Sequence, residues 1–161
     1  MITRRSFITI ASGSSAAIVL PSSFTFPQKK AKPPALPVEL VKEFVGAAHG
    51  NLEKTQTLLA ETPSLLNATY DWGGGDFEMA IGGAGHMGRA DIAEFLISQG
   101  GRFDMFVAAM LGKTEIVKGY LTAFPNLVTS KGPHGIPLLT HAEKGGDSAK
   151  ETLEYIKSLI K

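Results

Sequence analysis

The feature that most limits how this chain folds is a repeat of itself at an offset of 62 residues. Phe44–Leu65 reads FVGAAHGNLEKTQTLLAETPSL, and Phe106–Leu127 reads FVAAMLGKTEIVKGYLTAFPNL, with no gap between them. Phe44 pairs with Phe106, Val45 with Val107, Ala47 with Ala109 and Gly50 with Gly112. The series continues with Glu53 and Glu115, Leu59 and Leu121, Pro63 and Pro125, Leu65 and Leu127. Each copy has a physical logic. Small residues (Gly46, Ala47; Ala108, Ala109) let one short helix lie close against a neighbour. Gly50 and Gly112 are expected to end that helix in the left-handed conformation. Asn51 and Thr114 are placed to cap the next helix. In the second copy Ile116, Val117, Tyr120 and Leu121 recur at helical spacing. Pro63 and Pro125 then close the second helix.

Two further units fit the same scheme. In Glu78–Gln99, Ala84 and Gly85 precede Gly88, and Asp91, Ile92, Phe95 and Leu96 follow. In Gly135–Ile160, Ala142 precedes Gly145, and Ser148 with Glu151 is placed to form a capping box ahead of Leu153, Ile156 and Ile160. The marker glycines Gly50, Gly88, Gly112 and Gly145 stand 38, 24 and 33 residues apart. The pattern resembles the ankyrin repeat, a β-turn plus two antiparallel helices with a period near 33 residues. The run Ile136-Pro137-Leu138-Leu139-Thr140-His141-Ala142-Glu143-Lys144-Gly145 keeps Pro, Leu, Ala and Gly of that family's signature. It departs at Ile136, Leu139 and His141. Asp91–Gly101 looks like a second ankyrin helix and its exit. The blocks AAMLG and GPHG, followed by HA, are also similar to bacterial exported ankyrin-like proteins, a group that implies no particular activity. The resemblance implies an all-α stack of about four helix-turn-helix units over residues 38–161, with irregular β-finger loops. The 24-residue spacing leaves no room for a full finger between the second and third units, so those two are expected to pack tightly.

Residues 1–24 have a targeting layout. Arg4 and Arg5 precede Ser6 and Phe7, and a weakly apolar stretch runs from Phe7 to Leu20. This resembles a twin-arginine signal, with Arg4, Arg5 and Phe7 as its export determinants. No A-x-A cleavage pattern follows Leu20, so anchoring by an uncleaved leader stays open alongside a periplasmic destination. Residues 25–37, with Pro27, Pro33, Pro34 and Pro37, read as an extended linker. Five of the 16 basic side chains precede residue 38 and no acidic one does. That leaves 11 basic against 15 acidic side chains in the remainder. A mildly acidic domain argues against nucleic acid as partner, because phosphates must be neutralised. The absence of cysteine removes disulfides and thiolate chemistry. Membrane contact is expected only through the leader.

Three constellations merit attention. Trp72-Gly73-Gly74-Gly75-Asp76-Phe77-Glu78 lies in the long connection between the first two units. Its glycines permit close backbone approach, and an exposed Trp72 would anchor an interface. Aromatics more often pack than bind, so Trp72 and Phe77 are expected to cover the end of the core. No Lys-Ser or Lys-Thr follows the glycines, which excludes a phosphate loop. The second constellation is His86, His134 and His141 with Asp76 and Glu78. Brought together on a concave face, these groups would bind a metal or exchange protons. No two of the histidines are spaced i, i+4 on one helix, and repeat histidines ordinarily bond to backbone. His134, framed by Gly132, Pro133 and Gly135, is expected at a turn tip, and His141 in the first helix of the last unit. The third set, Met105, Phe106 and Met110 with Met79 and Met87, reads as core at helical spacing. His49, just before Gly50, is expected only to satisfy local carbonyls.

The expectation from sequence is therefore an exported, non-enzymatic module that holds a protein partner, with no catalytic residue, metal or cofactor. The rival reading is a small-molecule or metal-dependent enzyme built on the histidine and aspartate cluster. A third is a protective accessory to another exported protein.

Overall fold

The computed structural model describes residues 32–160. The leader determinants Arg4, Arg5 and Phe7 lie outside them. Residues 32–37 have no regular structure, and helix begins at Val38. The described chain is mostly helical: α1 (Val38–Ala47), α2 (Leu52–Glu61), a hairpin of β1 (Thr69–Asp71) and β2 (Phe77–Met79), α3 (Ala80–Met87), α4 (Ala90–Ser98), α5 (Met105–Met110), α6 (Thr114–Ala123), α7 (Leu138–Lys144) and α8 (Lys150–Leu159). An offset of 62 carries α2 onto α6 residue for residue. It also carries the 3-10 turn Pro63–Asn67 onto the 3-10 turn Pro125–Thr129. Each proline opens its turn, where its missing N–H costs nothing.

Helices pair along the chain, α1 with α2, α3 with α4, α5 with α6 and α7 with α8. The first helices α1, α3, α5 and α7 also touch in succession. Gly85 makes one of these approaches close: a Cβ there would stand 3.1 Å from Val107 Cγ2. Phe44, Val45, Leu65, Ile81, Ile92 and Leu96 form a buried cluster under the first two pairs. Met105, Ala109, Val117, Leu121, Leu138 and Ile156 form a second under the last two. Met105 and Met110 are core as expected, whereas Met87 is exposed. Burying a side chain such as Leu or Phe stabilises the fold by roughly 1.5–3 kcal/mol.

Several local expectations need correction. Asn51 caps α2, its Oδ1 accepting from the Lys54 N–H at 2.9 Å. Thr114 does not cap α6; it sits inside the helix, and its hydroxyl pairs with Thr152 at 2.8 Å in a buried contact between α6 and α8. Ser148 and Glu151 form no capping box, because a 3-10 turn over Gly146–Ala149 leads straight into α8. Gly112 and Gly88 have the left-handed conformation but Gly50 does not. No described helix is long and apolar enough to cross a membrane.

The hairpin is the structural answer to the glycine-rich connection. Thr69 pairs with Met79, Tyr70 with Glu78 and Asp71 with Phe77. Gly73, Gly74 and Gly75 turn the chain with φ of 126°, 66° and 88°, a run that side chains would strain. Asp71 Oδ1 accepts the N–H groups of Gly73 and Gly75, at 2.9 and 3.2 Å. Strand alternation then sends Glu78 inward and leaves Phe77 exposed.

Candidate metal centre

Four elements deliver side chains to one point. His49 leaves the turn after α1, Glu78 the middle of β2 and His86 the last turn of α3. His134 stands at the tip of the loop closed by the bridge between Lys131 and Pro137. One donor atom from each of these four residues lies within 4.8 Å of the others. His86 Nε2 is 2.9 Å from Glu78 Oε1; His49 Nε2 and His134 Nε2 are each 3.4 Å from Glu78 Oε2. The His86 ring lies 4.9 Å from that of His49 and 5.2 Å from that of His134, both near edge-on. The Glu78 side chain is fully buried and His86 nearly so, and they form the floor. His49 and His134 are 26% and 31% exposed and form the rim.

The partners behind these groups decide what they present. His49 Nδ1 is 2.9 Å from the Val45 carbonyl, which only accepts, so Nδ1 carries the proton. His134 Nδ1 donates to Asp76 Oδ2 at 2.6 Å, while Asp76 Oδ1 accepts the His134 backbone N–H at 2.8 Å. This double grip accounts for His134 holding φ +58°, a conformation uncommon outside glycine. With Nδ1 so engaged, His49 and His134 each turn Nε2 toward the same carboxylate oxygen. Trp72 Nε1–H donates to that oxygen at 2.8 Å. Its ring sits 6.1 Å from His49 and 6.0 Å from His134, edge-on to Tyr70 at 4.8 Å.

The electrostatics follow the geometry. The His134 backbone N–H, then its ring N–H, hold the Asp76 carboxyl below its ordinary value. Burial pushes Glu78 up, but the bond to His86, the attraction of His49 and the Trp72 bond outweigh it and leave the group lowered. Burial pushes His134 down, and the Asp76 bond with the nearby Glu78 charge overrides it, so His134 is raised. A buried carboxylate costs several kcal/mol unless it is fully partnered, so Glu78 is an expensive residue at this position.

The structure thus brings together Trp72, Asp76, Glu78, His86 and His134 from the sequence-derived set. It leaves out Phe77, a residue 61% exposed, and His141. His141 lies in α7 as expected. Its Nδ1 bonds to the Pro137 carbonyl at 3.0 Å and its ring packs 5.1 Å from Phe106. Its buried Nε2 makes no hydrogen bond among the described residues, and burial holds it below the ordinary histidine value. Trp72 lies beside the histidine cluster, bonded to Glu78 and close to the His49 and His134 rings. His49 does bond to a local carbonyl, but its other nitrogen reaches the cluster. The signal for this lay in the internal alignment, where His49 falls opposite Leu111, a buried core residue. A Cβ on Gly83 would come within 2.7 Å of the His49 ring, so glycine at that point of α3 makes room for it.

The donor spacing suits a small divalent ion. Zinc–nitrogen bonds of 2.0–2.1 Å imply tetrahedral donor edges of about 3.3 Å; the two Glu78 oxygens stand 2.9 and 3.4 Å from the imidazole nitrogens, and the four donors lie within 4.8 Å of one another, so the set would draw in slightly around an ion. Compared with family models, curated proteins and solved structures, the chain gives no match, and the site is read from its own geometry.

Proposed function

We propose that this chain is an exported helical module of the ankyrin type that holds one divalent transition-metal ion through His49, Glu78, His86 and His134. The observation that carries the reading is the convergence of His49 Nε2 and His134 Nε2 on one oxygen of a buried carboxylate, with both Nδ1 atoms turned outward to Val45 and Asp76. Imidazole nitrogens facing one carboxylate oxygen at 3.4 Å form a ready donor set for a cation. A metal ion supplies that charge and engages both rim nitrogens and the carboxylate at once. Three imidazoles and one carboxylate suit zinc and its borderline neighbours. The outer contacts are those that orient metal ligands: a carbonyl on His49, a carboxylate on His134 and an indole on Glu78.

Four protein donors complete a tetrahedral set, whereas catalytic zinc sites keep a position open. The proposal is therefore a metal-holding module and not a hydrolase. It replaces the expectation that no metal is bound. The repeat-stack reading draws on the coincidence of α2 with α6 at an offset of 62; export draws on Arg4, Arg5 and Phe7. A protein partner is the second reading, drawn from the repeat pattern and from Phe77 exposed on the hairpin.

The test is equilibrium dialysis of the chelator-stripped full chain against zinc, followed by elemental analysis. The expected result is one zinc per chain, lost when His86→Ala and Glu78→Ala are combined in a variant that keeps its helical circular dichroism. A wild-type chain that retains no zinc, or a variant that retains as much, overturns the proposal.

A further inference from the structure

The metal reading leaves open how an ion reaches donors that lie under a side chain, and the hairpin supplies the answer. Glu78 and His86 form a floor out of solvent, and His49 and His134 form a half-exposed rim. The Trp72 ring lies beside both rim histidines, at 6.1 Å from one ring and 6.0 Å from the other. Its indole N–H is bonded to Glu78 Oε2, the oxygen that both rim histidines face. An ion that binds Glu78 Oε2 must share that oxygen with the indole N–H or displace it.

Trp72 is also placed to move. Its side chain is 38% exposed. It precedes three glycines whose would-be Cβ atoms have nothing within 4 Å, so the turn backbone is held by hydrogen bonds while open space lies beside it. Glu78, by contrast, runs directly into α3 through Met79, and His49 and His134 come from separate elements. Swinging the indole outward breaks its hydrogen bond to Glu78 and its ring contacts with Tyr70, His49 and His134, while each of the four donors stays attached to its own element.

We infer that Trp72 is a gate over the metal centre, latched by its hydrogen bond to Glu78, and that it sets the rates of ion entry and release. The inference rests on the metal reading above. A gate and a mere supporting hydrogen bond have different kinetic signatures. Removing a gate speeds entry and release together and changes the ratio of the two less than either. Removing a supporting bond weakens the bound state, so it speeds release and leaves entry alone.

Stopped-flow mixing of the full chain with zinc measures entry, and transfer of zinc to an excess of chromogenic chelator measures release. The variants are Trp72→Ala, which removes the plug, and Trp72→Phe, which keeps an aromatic ring and loses the latch. Phe77→Ala, on the outer face of the same hairpin, is the control. Losing a charge-assisted hydrogen bond is expected to speed both rates by about tenfold in Trp72→Phe. Trp72→Ala should exceed that, and Phe77→Ala should match wild type. Entry unchanged in both Trp72 variants, with release faster or not, overturns the gate while the metal reading stands. A wild-type chain that takes up no zinc overturns both. Trp72→Phe decides the matter if Trp72→Ala disturbs the hairpin.

Discussion

The pair α1 and α2 and the pair α5 and α6 share a frame, down to the 3-10 turns that follow them, yet they do different work. Where the later pair has Leu111, buried in the core, the earlier pair has His49, half-buried and turned toward Glu78. The shared positions are those that make the frame: Val45 and Val107, Ala47 and Ala109, Leu59 and Leu121 are all buried. Among the many positions that differ, His49 against Leu111 is the one where a buried apolar side chain gives way to a group that reaches Glu78.

Burial sharpens the comparison, because Phe44 is fully buried whereas Phe106 is half-buried beside His141. Phe44→Ala should cost about 3–5 kcal/mol in denaturant unfolding, the range for a large core truncation. Phe106→Ala should cost clearly less. Equal losses would mean that the two pairs bear on the fold alike.

The next effect concerns the outer shell of the earlier pair's site. Asp76→Asn keeps the shape but no longer holds the His134 ring by a carboxylate. Zinc affinity should fall by about 10–100-fold, the usual range for outer partners, with one ion still bound at saturation. Isothermal titration reads both quantities. Unchanged affinity would show that His134 is positioned by its loop alone.

The smallest effect is on pH dependence in the metal-free chain, where two histidines act with opposite sign. His134 is raised in the fold, so its contribution is present below the unfolded value of about 6.5 and is lost as pH rises through the folded value. His141 is lowered, so the fold resists its protonation, and stability is lost as pH falls below about 6.5. Asp76 and Glu78 are lowered, and their contributions are lost in acid below about 4. Thermal unfolding with chelator should therefore be most stable near pH 6.5. Asp76→Asn should flatten the alkaline side, and His141→Gln part of the acid side. Added zinc should instead stabilise increasingly as pH rises, since the ion competes with protons for Nε2.

The helical frame was legible because it is written locally. Spacing of apolar residues, Asn51 as a cap and the prolines at positions 63 and 125 each act within a turn or two of chain. The site was legible only as a list of residue types. Trp72, Asp76, Glu78, His86 and His134 were identifiable as polar or aromatic groups in unusual places. Their convergence depends on a hairpin register and on a loop 58 residues away meeting Asp76, which no local period encodes. His141 looked equivalent to the others and is separated from them by the packing of α7 on Phe106. Thr114 and Ser148 show the converse failure: good capping residues are overridden where a tertiary contact or a 3-10 turn takes the helix start.

The central claim is that His49, Glu78, His86 and His134 bind one ion as a four-coordinate set. The most direct measurement is the visible spectrum of the full chain titrated with cobalt(II), beside a His49→Leu variant that copies Leu111 of the later pair. The wild type is expected to show the intense bands of four-coordinate cobalt, saturating at one equivalent, and the variant to lose or strongly alter them. Weak six-coordinate cobalt bands in both, with no saturation, would contradict it.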